Sequence, residues 1–220
     1  MKSTQMKIAV LADEKLKEEI LSKNISSSIE WLWMESFDAL FREENAIAFF
    51  DLQFKNDKDR IDMLAGLLPR PVIVNAVPFT LENISQPFIR INAWPGFISR
   101  PLSELAVWND NSRIEAVSLF DQLEWPFRLV PDLPGMISPR IISMIINEAY
   151  FTFGAGVSTK EDIDKAMKLG ANYPYGPFEW AGKIGLGRIL ELLSVLSVTN
   201  KRYTISEALV REARNLQHNN

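Results

Sequence analysis

The chain has 220 residues, 47% of them hydrophobic and 24% charged, which is ordinary globular material long enough to bury a core without staples. There is no cysteine, so disulfides, thiolate metal sites and a cysteine nucleophile are excluded, and the single histidine, His218, leaves no basis for a Ser-His-Asp triad or a histidine metal site. A net charge of -4 without a basic block speaks against nucleic acid as a partner. No apolar run approaches the ~18–20 residues of a membrane span. Met1 to Val10 lacks the apolar centre of a signal peptide, so a cytoplasmic protein is expected.

The first part of the chain alternates short strands with helices. Lys7 to Ala12 (KIAVLA) is a strand-type run, and DEKLKEEILSK follows with Leu16, Ile20 and Leu21 at helical spacing. Ser28 to Met34 (SIEWLWM) is again strand-like, ESFDALF gives one or two helical turns, and Ala46 to Leu52 (AIAFFDL) is a third strand. Asn56 to Leu68 forms a helix with Ile61, Leu64, Leu67 and Leu68 on one side and an acidic start that suits the helix dipole. Pro71 to Ala76 (PVIVNA), FIRINAW from Phe88 to Trp94, and PFRLVPD are strands, and Arg113 to Leu123 is an amphipathic helix. This order predicts an α/β fold: a Rossmann-like, mostly parallel sheet covered on both faces.

From Pro134 the pattern becomes purely helical. GMISPRIISMIINEAYFTF carries Ile137, Ile141, Ile145 and Ala149 at helical spacing, and Pro139 is tolerable in a first turn. STKEDIDKAMKLG opens with the box Ser158–Glu161 and closes at Gly170, expected as a left-handed cap. Two more helices follow, about Gly187 to Val198 and Ile205 to Gln217. The expected domains are therefore residues 1–132 and an all-α C-terminal domain, 133–220.

Between two of these helices lies KLGANYPYGPFEWAG, Lys168 to Gly182. Gly170 supplies conformational freedom, Pro174 and Pro177 fix φ, and Tyr173, Tyr175, Phe178 and Trp180 bury large apolar area. On these grounds alone it is a helix–helix corner with an aromatic plug. The segment from Gly135 to Leu186 also resembles the C-terminal domain of the 3-hydroxyacyl-CoA dehydrogenases. The matching residues are Pro134-Gly135, Asn147-Glu148-Ala149, Glu161 to Asp164, Gly170, Tyr173-Pro174 and Gly176 to Glu179.

That resemblance implies an NAD-dependent oxidoreductase of fatty-acid metabolism, dimeric through its helical domain. It also implies an acyl-CoA cleft to which Asn75, Tyr173, Pro174, Gly176, Pro177 and Phe178 contribute. The family's chemistry is harder to find. Its G-x-G-x-x-G loop should follow the first strand, yet the first glycine of this chain is Gly66, and Asp13 and Glu14 put negative charge where a pyrophosphate would sit. At the end of SIEWLWM only Glu35 lies near the place of the family's acidic ribose ligand, and the helical hairpin that contacts CoA has no counterpart.

The family's catalytic pair is a histidine and a glutamate twelve residues later. Aligning prolines at Pro95 puts Ile91 in the histidine position, and aligning on Glu104 puts Asn92 there. Neither is a general base near neutral pH. Glu104 is either the remnant of the dyad or a surface carboxylate on a short helical turn. Val77 replaces a family serine and Pro139 a family asparagine, with Arg140 matching the next residue. Glycine loop, histidine, serine and asparagine are thus all missing.

GKIGLGR, Gly182 to Arg188, has glycines like a phosphate loop but no preceding strand and no Gly-Lys-Ser/Thr ending, so it belongs to the joint. The six tryptophans stack on an adenine or acyl group, or pack the core or an interface. The sequence leads to a pseudoenzyme that binds an acyl-CoA-type ligand or a partner, with no cofactor and no metal expected. Two alternatives remain: a working oxidoreductase with an unorthodox NAD site whose base is Glu104 or water, or a structural subunit that dimerises with a related active enzyme.

Overall fold

The computed structural model describes residues 5–23 and 27–218, with the side chains of 217 and 218 outside that description. The leader-peptide reading of Met1 to Val10 falls partly on residues 1–4, outside the described residues, and so does the side chain of the lone histidine. The chain divides into two compact units, Met1–Met136 and Ile137–Asn220.

The first unit runs β1 (Met6–Leu11), α1 (Glu14–Leu21), β2 (Ile29–Met34), α2 (Phe37–Arg42), β3 (Ala48–Asp51), α3 (Lys58–Ala65), β4 (Val72–Val74), α4 (Leu81–Ile84), β5 (Ile89–Ile91), β6 (Ser103–Val107), α5 (Asp110–Gln122) and β7 (Phe127–Leu129). The seven strands form one sheet in the order β2-β1-β3-β4-β5-β6-β7. Every neighbouring pair is parallel except β5 with β6. This is the α/β, mostly parallel arrangement that the alternation of elements predicts.

Its two faces explain the unbroken apolar character of the central strands. Ile8, Val10, Phe50, Ile73, Ile91 and Leu105 point to one side and pack with Leu16 and Ile20 of α1 and Leu119 and Phe120 of α5. Ala9, Leu11, Phe49, Val72 and Val74 point to the other and meet Leu40 of α2, Leu64 of α3 and Leu81 and Ile84 of α4. Each such large side chain contributes roughly 1.5–3 kcal/mol on burial. Aromatic rings finish the first face: Trp31 stacks on Trp33 at 6.1 Å and on Trp125 at 5.6 Å between ring centres. The helices start where the sequence supplies an oxygen for a free amide. Asp13, Ser36, Asp57, Thr80 and Asn109 each accept the N–H three residues on.

The second unit contains α6 (Ser138–Gly154), α7 (Lys160–Gly170), α8 (Pro177–Ile184), α9 (Leu186–Thr199), a 3₁₀ turn (Lys201–Tyr203) and α10 (Glu207–His218). Ile142, Ile146, Tyr150, Trp180, Ile184, Ile189, Leu192, Leu193 and Leu209 are buried. Asn147 is buried as well and ties α6 to the approach of α10: its amide donates to Thr204 O at 2.8 Å and its Oδ1 accepts from Ser206 N at 2.9 Å. Among the described residues, no helix is long and apolar enough to cross a membrane.

Four local expectations are corrected. Glu104 lies on β6, not on a helical turn, and FIRINAW is extended as a paired strand only over Ile89–Ile91. The cap of α7 is Thr159, which accepts from Asp162 N, because the chain enters the helix one residue later than Ser158. Gly170 ends α7 as an ordinary helical residue, and the left-handed position is Asn172, φ 54°. Asparagine tolerates that region because its short polar side chain bonds locally.

Candidate functional site

Ligands of open α/β sheets bind beyond the carboxyl ends of the strands. At the end of β1 the turn is only Ala12-Asp13 before α1 begins. The Asp13 carboxylate accepts Leu16 N–H at 2.9 Å, and Glu14 adds a second negative charge in the first turn. The amide that a pyrophosphate would take is thus already held by a carboxylate of the chain itself.

At the ends of β4 and β5 the side chains serve the backbone. Asn75 donates to Leu52 O and Ala93 O, both at 3.2 Å, and accepts Ala93 N–H at 3.1 Å. Asn92 is 4% exposed, and its Oδ1 accepts Trp94 N–H at 3.4 Å. Asn92 N–H donates to Glu104 O at 3.1 Å, so these two residues face each other where β5 and β6 begin to pair. The turn joining them is pinned by α1 and by Lys23 just after it. Glu19 accepts Gly96 N–H at 2.7 Å, and Lys23 Nζ donates to Ile98 O at 3.0 Å and Arg100 O at 2.7 Å. Burial of the Lys23 ammonium pushes its pKa down.

Val77 is fully buried and offers its carbonyl to Arg90 Nη2 at 3.0 Å and Gly135 N at 2.8 Å. Arg90, a charge inside an apolar strand, also donates from Nε to Ala76 O at 3.0 Å and pairs with Asp132. Asp132 accepts Leu81 N–H at 2.8 Å as well. Burial lowers the Arg90 pKa, the Asp132 carboxylate opposes this, and the guanidinium stays charged. A second buried pair joins Asp51, at the end of β3, to Arg60 of α3 through two bonds of 2.6 and 2.7 Å. Neither pair was legible as a pair in the sequence. The only signal was a charged residue within an apolar strand.

In the second unit the aromatic corner is built around Asp164. This α7 carboxylate is 8% exposed and accepts Phe178 N–H at 2.8 Å and Glu179 N–H at 3.1 Å, capping α8 from another helix. Gly176 N–H donates to Glu179 Oε2 at 2.9 Å. A Cβ on Gly176 would lie 2.2 Å from Asp164 Cγ, so glycine is a steric requirement there. Phe178 meets Tyr150 edge-on at 4.9 Å, and Tyr173 packs on Trp180 at 5.6 Å. Pro177 opens α8, Pro174 stands three residues before it, and Pro139 sits buried in the first turn of α6. GKIGLGR spans the α8–α9 joint, where Gly185 has φ 94°.

Pro177 also lines an apolar groove of about 430 Å³ with Ile145 and Ala149 of α6 and Ile163, Ala166 and Met167 of α7. Tyr150 lies beneath Lys160, which pairs with Glu212, and burial followed by the Glu212 charge pushes the phenol pKa far up. Among the described residues, no group of three or more His, Cys, Asp or Glu side chains is placed to hold a metal ion.

The expected site residues therefore fall into two sets. Asn75, Val77, Asn92 and Glu104 lie in the first unit. Pro139, Tyr173, Pro174, Gly176, Pro177 and Phe178 lie in the second.

Residues 135–218 match the family described as 3-hydroxyacyl-CoA dehydrogenase, C-terminal domain. The chain is 37% identical over 114 residues to the 3-hydroxyadipyl-CoA dehydrogenase of Escherichia coli K12, a match covering 52% of this chain and 24% of that protein. The alignment thus spans about a quarter of that relative. In fold, the chain is similar to the (S)-3-hydroxybutyryl-CoA dehydrogenase PaaH1 of Ralstonia eutropha, with a TM-score of 0.70 at 19% identity over 94% of this chain and 93% of that one. FadB2 of M. tuberculosis superposes with a TM-score of 0.74 at 14% identity, over 98% and 95% of the two chains. In sequence, the likeness to the 3-hydroxyacyl-CoA dehydrogenase family lies in the C-terminal helical domain, residues 135–218.

Proposed function

We propose that this protein keeps the scaffold of a 3-hydroxyacyl-CoA dehydrogenase without NAD-dependent hydride transfer, and serves as a pseudoenzyme that binds an acyl-CoA-type ligand or a partner. The observation that carries the reading is Asp13. Its carboxylate takes the α1 amide of Leu16, and its charge repels a pyrophosphate. The residues present at this turn do not fit NAD in the manner of a glycine loop. Asn92 supports the same reading, since an amide opposite Glu104 has no basicity to accept a hydroxyl proton.

The experiment is NADH absorbance with acetoacetyl-CoA, with an active dehydrogenase as control. No change is expected. Substrate-dependent loss of absorbance would overturn the reading.

One observation favours a second reading, an oxidoreductase with a rebuilt cofactor site: Glu104 stands twelve residues after Asn92 and directly across the β5–β6 pair. Under that reading Glu104→Gln abolishes turnover, and unchanged turnover removes the candidate base.

The helical unit exposes Ile137 (48%), at the cap of α6, and Ile141 (55%), on α6, which supports a homodimer through this domain as part of the proposal. A structural subunit would instead co-purify with a full-length dehydrogenase. A cytoplasmic location belongs to the same proposal.

A further inference from the structure

β2 is the outermost strand of the sheet, and it is an unusual edge. It is six residues long, Ile29–Met34, and carries Trp31, Leu32, Trp33 and Met34 with a single charge, Glu30. Edge strands are normally short, charged or interrupted by proline, because a free row of N–H and C=O groups pairs with other chains. In the usual dinucleotide-binding sheet another strand lies outside the second. Here the chain passes from β2 through α2 straight to β3 on the far side of β1, so that outer position is open among the described residues.

The register fixes which groups face outward. Met6 N–H donates to Ser28 O at 2.8 Å, and Met6 stands opposite Ile29. In a parallel ladder alternate residues bond to the same neighbour, so Ser28, Glu30, Leu32 and Met34 serve β1. The amides and carbonyls of Ile29, Trp31 and Trp33 therefore point away from the sheet.

We infer that this edge pairs with β2 of a second copy of the chain, antiparallel about a two-fold axis at Trp31, to give one continuous sheet. The sequence fits this pairing. With Trp31 opposite its symmetry mate, Ile29 faces Trp33 in bonded pairs, and Glu30 falls opposite Leu32 instead of opposite another carboxylate. Tryptophan and β-branched neighbours across strands are among the favoured cross-strand pairs. The contact is isologous, so at this edge it joins two chains and leaves no further β2 edge, and together with a dimer through the helical unit it gives a larger assembly. It uses no residue of the helical unit.

The test combines sedimentation with amide hydrogen exchange at low and high protein concentration. Concentration-dependent association is expected, with the Trp31 and Trp33 amides slowed by about tenfold or more as it proceeds. Trp33→Lys places charge on the edge, and Trp33→Pro removes one outward amide while leaving the β1 ladder intact. Both are expected to be folded by circular dichroism and monomeric through this edge. Two variants guard against one that fails to fold. Trp31 and Trp33 amides that exchange equally fast at all concentrations overturn the inference, even in a dimer, since such a dimer uses another surface. Slow exchange retained in a folded Trp33→Pro dimer overturns it as well.

Discussion

Gly176 and Asp164 approach so closely that a methyl group between them has no room: a Cβ at 176 would stand 2.3 Å from Asp164 Oδ1. The carboxylate is there because α8 opens on Gly176-Pro177, which offers no side chain oxygen to its own amides. Asp164 reaches over from α7 to satisfy Phe178 and Glu179. The glycine, the proline and the aspartate form one device.

Gly176→Ala is expected to displace the Asp164 carboxylate and destabilise the helical unit by about 2–4 kcal/mol. Asp164→Ala removes the cap without the clash and costs about 1–2 kcal/mol. Denaturant unfolding of both singles and the double checks the mechanism. The double should lose less than the sum, because Asp164→Ala removes the Cγ and Oδ1 that the added Cβ meets and leaves only the contact with the residue's own Cβ. Full additivity would mean the two residues act separately.

In the first unit, Arg90 has no exposure and pairs with the carboxylate of Asp132. Arg90→Met keeps the bulk but takes one donor each from the carbonyls of Ala76 and Val77, which keep Phe79 N–H and Gly135 N–H, and leaves Asp132 without its cation. A loss of about 3–5 kcal/mol is expected in urea unfolding. Arg90→Lys keeps the charge but not the fork, so it should recover only part of that loss. Complete recovery would assign the effect to charge alone.

These two relationships mark the limit of what the sequence disclosed. The sheet was legible because KIAVL, IEWLWM and AFFD are short apolar runs set between helical spacings, and burial on two faces leaves that pattern. β6 was not legible: Ser103–Val107 is short, follows Pro101 closely, and takes its place only through pairing with β5 and β7. The motif around Gly176 was visible as composition. The reason for the glycine was not, because the clashing atom belongs to a residue twelve positions earlier. At the site, the missing glycine loop could be read directly. That Asn92 and Glu104 face each other required the antiparallel register.

Glu179 gives the joint a dependence on acid. The Lys168 ammonium, and then the Gly176 N–H, hold its carboxyl below the ordinary value of 4.5. A carboxyl depressed by folding stabilises the native state above its unfolded pKa and loses that contribution as pH falls through the folded value. Glu179→Gln keeps an acceptor for Gly176 but cannot pair with Lys168. Its melting temperature should lie slightly below wild type at neutral pH, and the two should converge as pH falls well below 4.5. Parallel curves throughout would remove Glu179 from the acid response. Lys168→Met should show the same convergence.

Restoring the base should not restore the reaction. Asn92→His places an imidazole twelve residues before Glu104 on the paired strands, the arrangement that resembles the family's dyad. An imidazole near pKa 6.5 can accept a hydroxyl proton at neutral pH. The α1 amide nevertheless remains capped by Asp13, so the proposed obstacle to the cofactor is untouched. Asn92→His is therefore expected to show neither NADH oxidation with acetoacetyl-CoA nor enhancement of NADH fluorescence on titration. The two readouts separate the two parts of the proposal. Fluorescence enhancement without turnover would mean that the β1–α1 turn holds the dinucleotide despite Asp13, and the cofactor reading would fall. Turnover in the variant but not in the wild type would place the entire loss of activity at residue 92.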